Sequence, residues 1–161
     1  MPDNDASLRI QLFELLQGSN AHVDVLSALK DFPQKFYGAK PGDAPHSAWE
    51  LLEHMRIALR DLWDFSTNPE YVEKSWPDDY WPASSEPPSK EAWHASVRAL
   101  KQDLEAFGKL VKDPESNLYA QIPWGKKDQT LLREVLIAAD HTSYHTGALV
   151  YLRKLLGAWK G

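Results

Sequence analysis

No cysteine occurs anywhere in the 161 residues. That excludes disulfides, thiolate metal ligands, iron–sulfur clusters and a cysteine nucleophile. Long apolar runs are missing as well, none approaching the ~20 residues that span a bilayer. The opening MPDNDASLRI has neither a basic n-region nor an apolar h-region, so it does not read as a signal peptide. A soluble, cytoplasmic protein with no membrane partner is expected. Basic clusters are scarce: the net charge is −5 and the pI about 5.6. A nucleic-acid partner is therefore not expected, because no stripe of lysine and arginine tracks a phosphate backbone. Lys126-Lys127 is a short pair, and Arg153-Lys154 sits near a helix end, where it is expected to complement the helix dipole. Strand patterns are nearly absent, with only pieces such as Leu118-Tyr119 able to pair, and no internal repeat is visible.

What is present is apolar residues at helical spacing. The length suits one domain over 1–161, large enough to bury roughly 70% of its unfolded surface. Four long helical segments are predicted. The first runs from about Ser7 to Phe32, with a break at Gly18-Ser19-Asn20 and Asn20 as a possible new N-cap. The second opens on Ser47-Ala48-Trp49-Glu50, a capping box, and runs to about Ser66. The third opens at Ser89 and carries a seam of Trp93, Val97, Leu100, Leu104, Phe107 and Val111. The fourth runs from about Thr130 to Leu156, with Gly157 ending it. A long crossover lies between Trp63 and Ser89, rich in tryptophan and proline. The expected fold class is an all-α four-helix bundle with a long crossover connection.

Histidines interrupt two of the apolar stripes. His141 and His145 are four apart on the fourth helix, so both imidazoles share one face with about 6 Å of rise between them. The stripe they join reads Ala138, His141, His145, Ala148, Leu152, Leu155. On the second helix His54 shares a face with Leu51, Ala58, Asp61 and Phe65. Buried histidines on a core stripe need partners. A divalent metal ion on His54, His141 and His145 supplies one partner to all three and leaves coordination positions open. The competing reading is three core histidines hydrogen-bonded to carbonyls. His22 is placed near the inner face of the first segment, and Asp61 lies two turns from His54. These two are the candidates for an acid–base role beside the ion. His46 and His94 are expected at the surface. Glu50 is assigned to capping, and Tyr144 to packing against a neighbouring helix.

The stretches His46 to Ala58, Thr130 to Glu134, Ala139-Asp140-His141 and Tyr144-His145-Thr146-Gly147 resemble the DinB-like metal-dependent family, part of a superfamily that includes the YfiT-like proteins and small-molecule-thiol transferases. The resemblance covers nearly the whole chain, from Leu12 to Trp159. It implies a four-helix bundle with one long crossover, often a homodimer, and a single Ni or Zn-type ion on the three histidines that correspond to His54, His141 and His145. The sequence departs at Ile122-Pro123-Trp124-Gly125, where relatives often carry His before the Gly, and at Thr142-Ser143, which replaces a more usual Asn-Ala pair. These departures bear on the substrate, not the metal.

The functions to be weighed are a hydrolase, an S-transferase using a low-molecular-weight thiol on a small-molecule substrate, and a non-catalytic metal-binding or stress-response module. Because the chain has no cysteine, the thiol would be a cosubstrate. A homodimer is expected from seven tryptophans, more apolar surface than one bundle needs. Tyr37 to Pro45 and Ile122 to Gly125 are expected to roof the ion, with Trp124 or Tyr37 lining the entrance.

Overall fold

A computed structural model describes residues 4–159. Four long helices form the bundle: α1 (Asn4–Gln17), α3 (Ala48–Thr67), α4 (Lys90–Lys112) and α5 (Leu131–Leu155), with a single-turn α2 (Val25–Leu29) between the first two. Strands are absent among the described residues, and the only β-type pairing there is an isolated bridge between Gln121 and Thr130. None of the described helices is long and apolar enough to cross a membrane.

Helices α2 to α5 each start where a side chain satisfies an orphan amide. Ser47 accepts from the Glu50 amide while Glu50 accepts from the Ser47 amide, so the capping box is complete. Lys40 also pairs with Glu50 at 2.8 Å, and that carboxylate is spent on capping. Ser89 caps α4 by accepting from the Ala92 amide, and Thr130 caps α5 by accepting from the Arg133 amide. The first segment departs from expectation. Gly18 takes φ +72° and ends α1, a conformation that costs glycine no Cβ clash. The chain stays irregular until Asp24, whose side chain accepts from Ser27 and caps α2. Asn20 instead hydrogen-bonds Glu14. It precedes no helical turn.

Pairings fix the directions. Glu53 and Arg60 of α3 lie beside Ser96 and Asp103 of α4, so these two helices run parallel. Arg9 reaches Val111, and a Cβ on Gly108 would lie 2.9 Å from Phe13, which makes α1 antiparallel to α4 and close to it. His54 meets His141, and α5 runs antiparallel to α3. Parallel neighbours joined in sequence need a connection that returns the full length of the bundle. Residues 68–89 make that return, as the long crossover was expected to do.

The core is one cluster. Trp93, Leu100, Leu104, Phe107 and Val111 of α4 pack on Leu52, Met55 and Leu59 of α3 and on Leu12 and Leu16 of α1. Full burial of each such side chain contributes roughly 1.5–3 kcal/mol. Tyr37 belongs to this core, 4% exposed and stacked on Trp93 at 3.9 Å. It lines no entrance. The α5 stripe is rotated from the expected one. Ala138, Ala139, Thr142, Thr146, Leu149 and Leu152 are buried, while Ala148 and Leu155 are exposed. The histidines therefore flank the packed line.

Two buried arginines tie the ends. Arg9 donates to the carbonyls of Val111, Asp113 and Ser116 beyond the end of α4. Arg153 donates to Ala28, Lys30 and Asp31 at the end of α2 and to Ala158. Arg153 is thus a buried clamp on the carbonyls at the end of α2, a role beyond the dipole complement expected of it. The tryptophans are mostly spent internally: Trp49 and Trp93 are buried, and Trp76 is the one clearly exposed ring of the seven, at 68%. The aromatic count consequently lends a homodimer no support.

Candidate metal centre

His54 stands about two turns into α3 and His141 and His145 three to four turns into α5. Because the helices are antiparallel, the three rings arrive at one level. Their ring centroids are 4.5 to 4.8 Å apart, and one nitrogen from each lies within 4.8 Å of the other two. His54 is 1% exposed and His145 9%. Other His, Asp or Glu side chains do not join this group among the described residues.

Hydrogen bonds assign the His54 protons. Its Nδ1 lies 2.9 Å from the carbonyl oxygen of Tyr80. A carbonyl only accepts, so Nδ1 carries the hydrogen and Nε2 holds the lone pair of the neutral ring. Nε2 of His141 is 3.0 Å from that lone pair and must donate to it. The buried Nδ1 of His145 has no hydrogen-bond partner. Such an atom costs about 1–3 kcal/mol unless something else engages it.

Burial pushes every ring toward the neutral form. His141 is lowered to about 4, by burial first and then by His54. His145 is lowered to about 3, by burial and then by the two neighbouring imidazoles. His54 is also lowered by burial, although its bond to the Tyr80 carbonyl acts the other way. At neutral pH the cluster presents three uncharged imidazoles, the form that ligates metals. Nitrogens sharing one tetrahedral ion at ~2.1 Å sit roughly 3.4 Å apart; here the Nε2 atoms of His54 and His141 are 3.0 Å apart, and the trio lies within 4.8 Å. The donor set, the unpartnered Nδ1 and the low proton affinity all fit a divalent ion.

The roof is the crossover. Trp81 lies flat on His54, centroids 3.9 Å apart and planes 2° from parallel, and its other face stacks on His46 at 4.1 Å. Trp76 is 6.2 Å from His54, and Tyr144 of α5 stands edge-on to His145 at 4.9 Å. Tyr144 is otherwise 74% exposed and packs on no neighbouring helix as expected of it. His46 is half-buried under Trp81, not free in solvent. None of these aromatic contacts was read from the sequence. Beside the cluster lies a groove of about 520 Å³, lined by residues 41–46 with Leu51 and Ala148, each one turn from a histidine.

The remaining candidates lie elsewhere. His22 is exposed, bonded to the Val23 carbonyl and, at 3.2 Å, to Ser143. Ser143 is about 200° round α5 from His141, so His22 meets the helix on a different side from the cluster. Asp61 is buried two turns along α3, accepting from the hydroxyls of Tyr80 at 2.6 Å and Tyr71 at 3.2 Å. Trp124 donates from Nε1 to the Phe65 carbonyl at 2.8 Å, about 16 Å along α3 from His54. It anchors a loop at the other end of the helix and does not line the entrance. His94 is exposed, as expected.

A family model described as the DinB superfamily matches residues 18–149, a span holding all three histidines, Asp61 and the whole crossover. Neither a curated protein nor a solved structure matches the chain.

Proposed function

The chain belongs to the DinB superfamily, and from that premise we propose that His54, His141 and His145 hold one divalent ion, Zn or Ni, for chemistry on a small molecule. The observation that carries this reading is the convergence of three neutral imidazoles, two buried and one half-buried, with one unpartnered nitrogen. When bound, such an ion supplies Lewis-acid activation of a water, a thiol or a polarised electrophile.

The residues around the cluster favour transfer of an external thiol over hydrolysis. Hydrolysis calls for a proton acceptor beside the attacking water, and among the described residues no carboxylate joins the three imidazoles. Asp61, the nearest candidate on α3, already receives two tyrosine hydroxyls. Thiol transfer asks the protein chiefly for a Lewis acid and a sheltered surface. Trp81 and Trp76 give that shelter, and the adjoining groove between Leu51 and Ala148 can receive the electrophile. The lack of an acid–base partner also supports a second reading, a metal-binding module without turnover. A homodimer remains part of the proposal, resting now on the exposed Tyr144, Tyr151 and Leu155 of α5. Light scattering at the monomer mass of 18.3 kDa would remove it.

The deciding experiment is metal analysis of the purified protein, followed by turnover assays with small thiols and model electrophiles. One equivalent of metal with thiol-dependent turnover supports the enzyme. One equivalent without turnover supports the module, and a protein that takes up no added metal rejects both.

A further inference from the structure

Of the three histidines, His54 alone has a ring nitrogen hydrogen-bonded to a backbone carbonyl among the described residues. Its partner is no helix carbonyl but the backbone of Tyr80, in the irregular crossover. That segment is tied to α3 and its entry by Trp81, stacked on His54 and His46, by Ser47 donating to the Ser85 carbonyl, and by the hydroxyls of Tyr71 and Tyr80. The 3₁₀ turn Asp78–Tyr80 buries none of its residues, and Trp76 is exposed. At the Tyr80 ring the hold on α3 is one short bond, the hydroxyl donating to Asp61 Oδ2 at 2.6 Å. Asp61 is 7% exposed and lies seven residues, two turns, beyond His54 on the same face of α3. Tyr80 therefore bridges two levels of one helix, its ring end on Asp61 and its carbonyl on His54. The next residue, Trp81, lies flat on the His54 ring.

We propose that Asp61 and Tyr80 form a positioning latch, in which the buried carboxylate anchors the crossover so that the Tyr80 carbonyl holds His54 in its Nδ1–H tautomer with Nε2 aimed at the metal. Asp61 is a positioning residue: it touches neither the ion nor a substrate and acts through Tyr80. The inference rests on the metal reading for its consequence, but the latch itself exists in the metal-free protein. Partners of ligating imidazoles set ring orientation and basicity, and losing them commonly weakens metal binding 10–100-fold. Here the carboxylate sits one step further out, so an effect near the lower figure is expected.

Tyr80→Phe removes only the hydroxyl and keeps the ring and the carbonyl. Asp61→Ala removes the anchor, and Asp61→Asn keeps an acceptor and should restore much of it. Tyr71→Phe takes from Asp61 a second donor, earlier in the crossover, and leaves the Tyr80 bond in place. Two readouts are needed. Nitrogen-15 NMR of the imidazoles in metal-free protein at pH 7.5 reports the tautomer. Wild type should show His54 as Nδ1–H, while Tyr80→Phe and Asp61→Ala should show a mixture. Competition titration with zinc should give about tenfold weaker binding in those two variants, with Asp61→Asn between and Tyr71→Phe within twofold of wild type. A wild-type His54 in the Nε2–H form overturns the latch. So do an unchanged tautomer and unchanged zinc affinity in a folded Tyr80→Phe protein, a variant mild enough to keep its fold. If wild type binds no zinc while the tautomer still shifts in both variants, the latch stands and the metal reading falls.

Discussion

The interface between α3 and α5 is polar at two levels, and the two levels are built on opposite terms. At one, three imidazoles face each other, and the buried Nδ1 of His145 is left without a partner. Two turns further along α3, Asp61 and Glu134 line a pocket with Tyr71, Trp124 and Arg133. There the hydrogen bonds close. Asp61 takes two tyrosine hydroxyls, whose own proton loss is pushed up by burial and by that carboxylate, Tyr71 to about 12. Glu134 takes Arg133 at 2.6 Å. A buried polar group that is satisfied from within has nothing left to offer a ligand, whereas one left open is what a ligand uses. On that criterion the imidazole level is the one open to a ligand.

The sharpest way to break the comparison is to remove one imidazole. His54→Ala, His141→Ala and His145→Ala should each abolish stoichiometric metal while leaving the helical circular dichroism intact. Mass-spectrometric metal analysis checks this, and full occupancy in all three variants would refute the ligand assignment. Next in size is the response to acid. His141 and His145 bind protons more weakly folded than unfolded, so the unfolded chain takes up more protons as pH falls. Metal-free protein should lose stability progressively from about pH 6.5 through the region of pH 4 to 3, and His141→Gln should flatten that slope in urea melts.

The acid level carries the opposite sign. Burial raises Glu134 above its ordinary value, with Arg133 acting against it. The folded state then prefers the protonated carboxyl, so the ionised side chain weakens the fold at high pH. Glu134→Gln should raise the thermal midpoint at pH 8, with the gain fading as pH falls toward 4.5, and metal content should not change. A loss of metal in this variant would couple the two levels. The smallest effect on the centre is expected of Trp124→Ala. It should cost about 2 kcal/mol for a half-buried ring and its bond to Phe65, measured by urea denaturation, with zinc affinity unchanged.

The unequal legibility of the two levels has a physical cause. His54, His141 and His145 could be paired from sequence because helical spacing fixes which residues share a level once the helix ends are known. Ser47, Ser89 and Thr130 declare those ends through local chemistry. The partner of His54 and the ring on its face could not be read, since they come from an irregular segment whose path no periodicity encodes. The rotation of the α5 stripe was hidden for another reason. Thr142 and Thr146 look polar, yet the Thr146 hydroxyl bonds the Thr142 carbonyl at 2.7 Å and both side chains pack inward. A hydroxyl returned to its own helix behaves as an apolar group, and the histidines were credited with the core position that the threonines hold.

Arg153 has a consequence for the order in which the molecule comes apart. A helix of five residues is far below the length that persists alone in water. The carbonyls at the end of α2 are held by a guanidinium belonging to α5, 122 to 125 residues away. The segment between Gly18 and Phe36 accordingly borrows its protection. In native-state hydrogen exchange its amides should open together with the last turn of α5 and at one common free energy, ahead of the seam of α4. A lysine at position 153 offers a point charge where three carbonyls need a planar fork, and it should release that whole unit while α3 and α4 keep their slow amides.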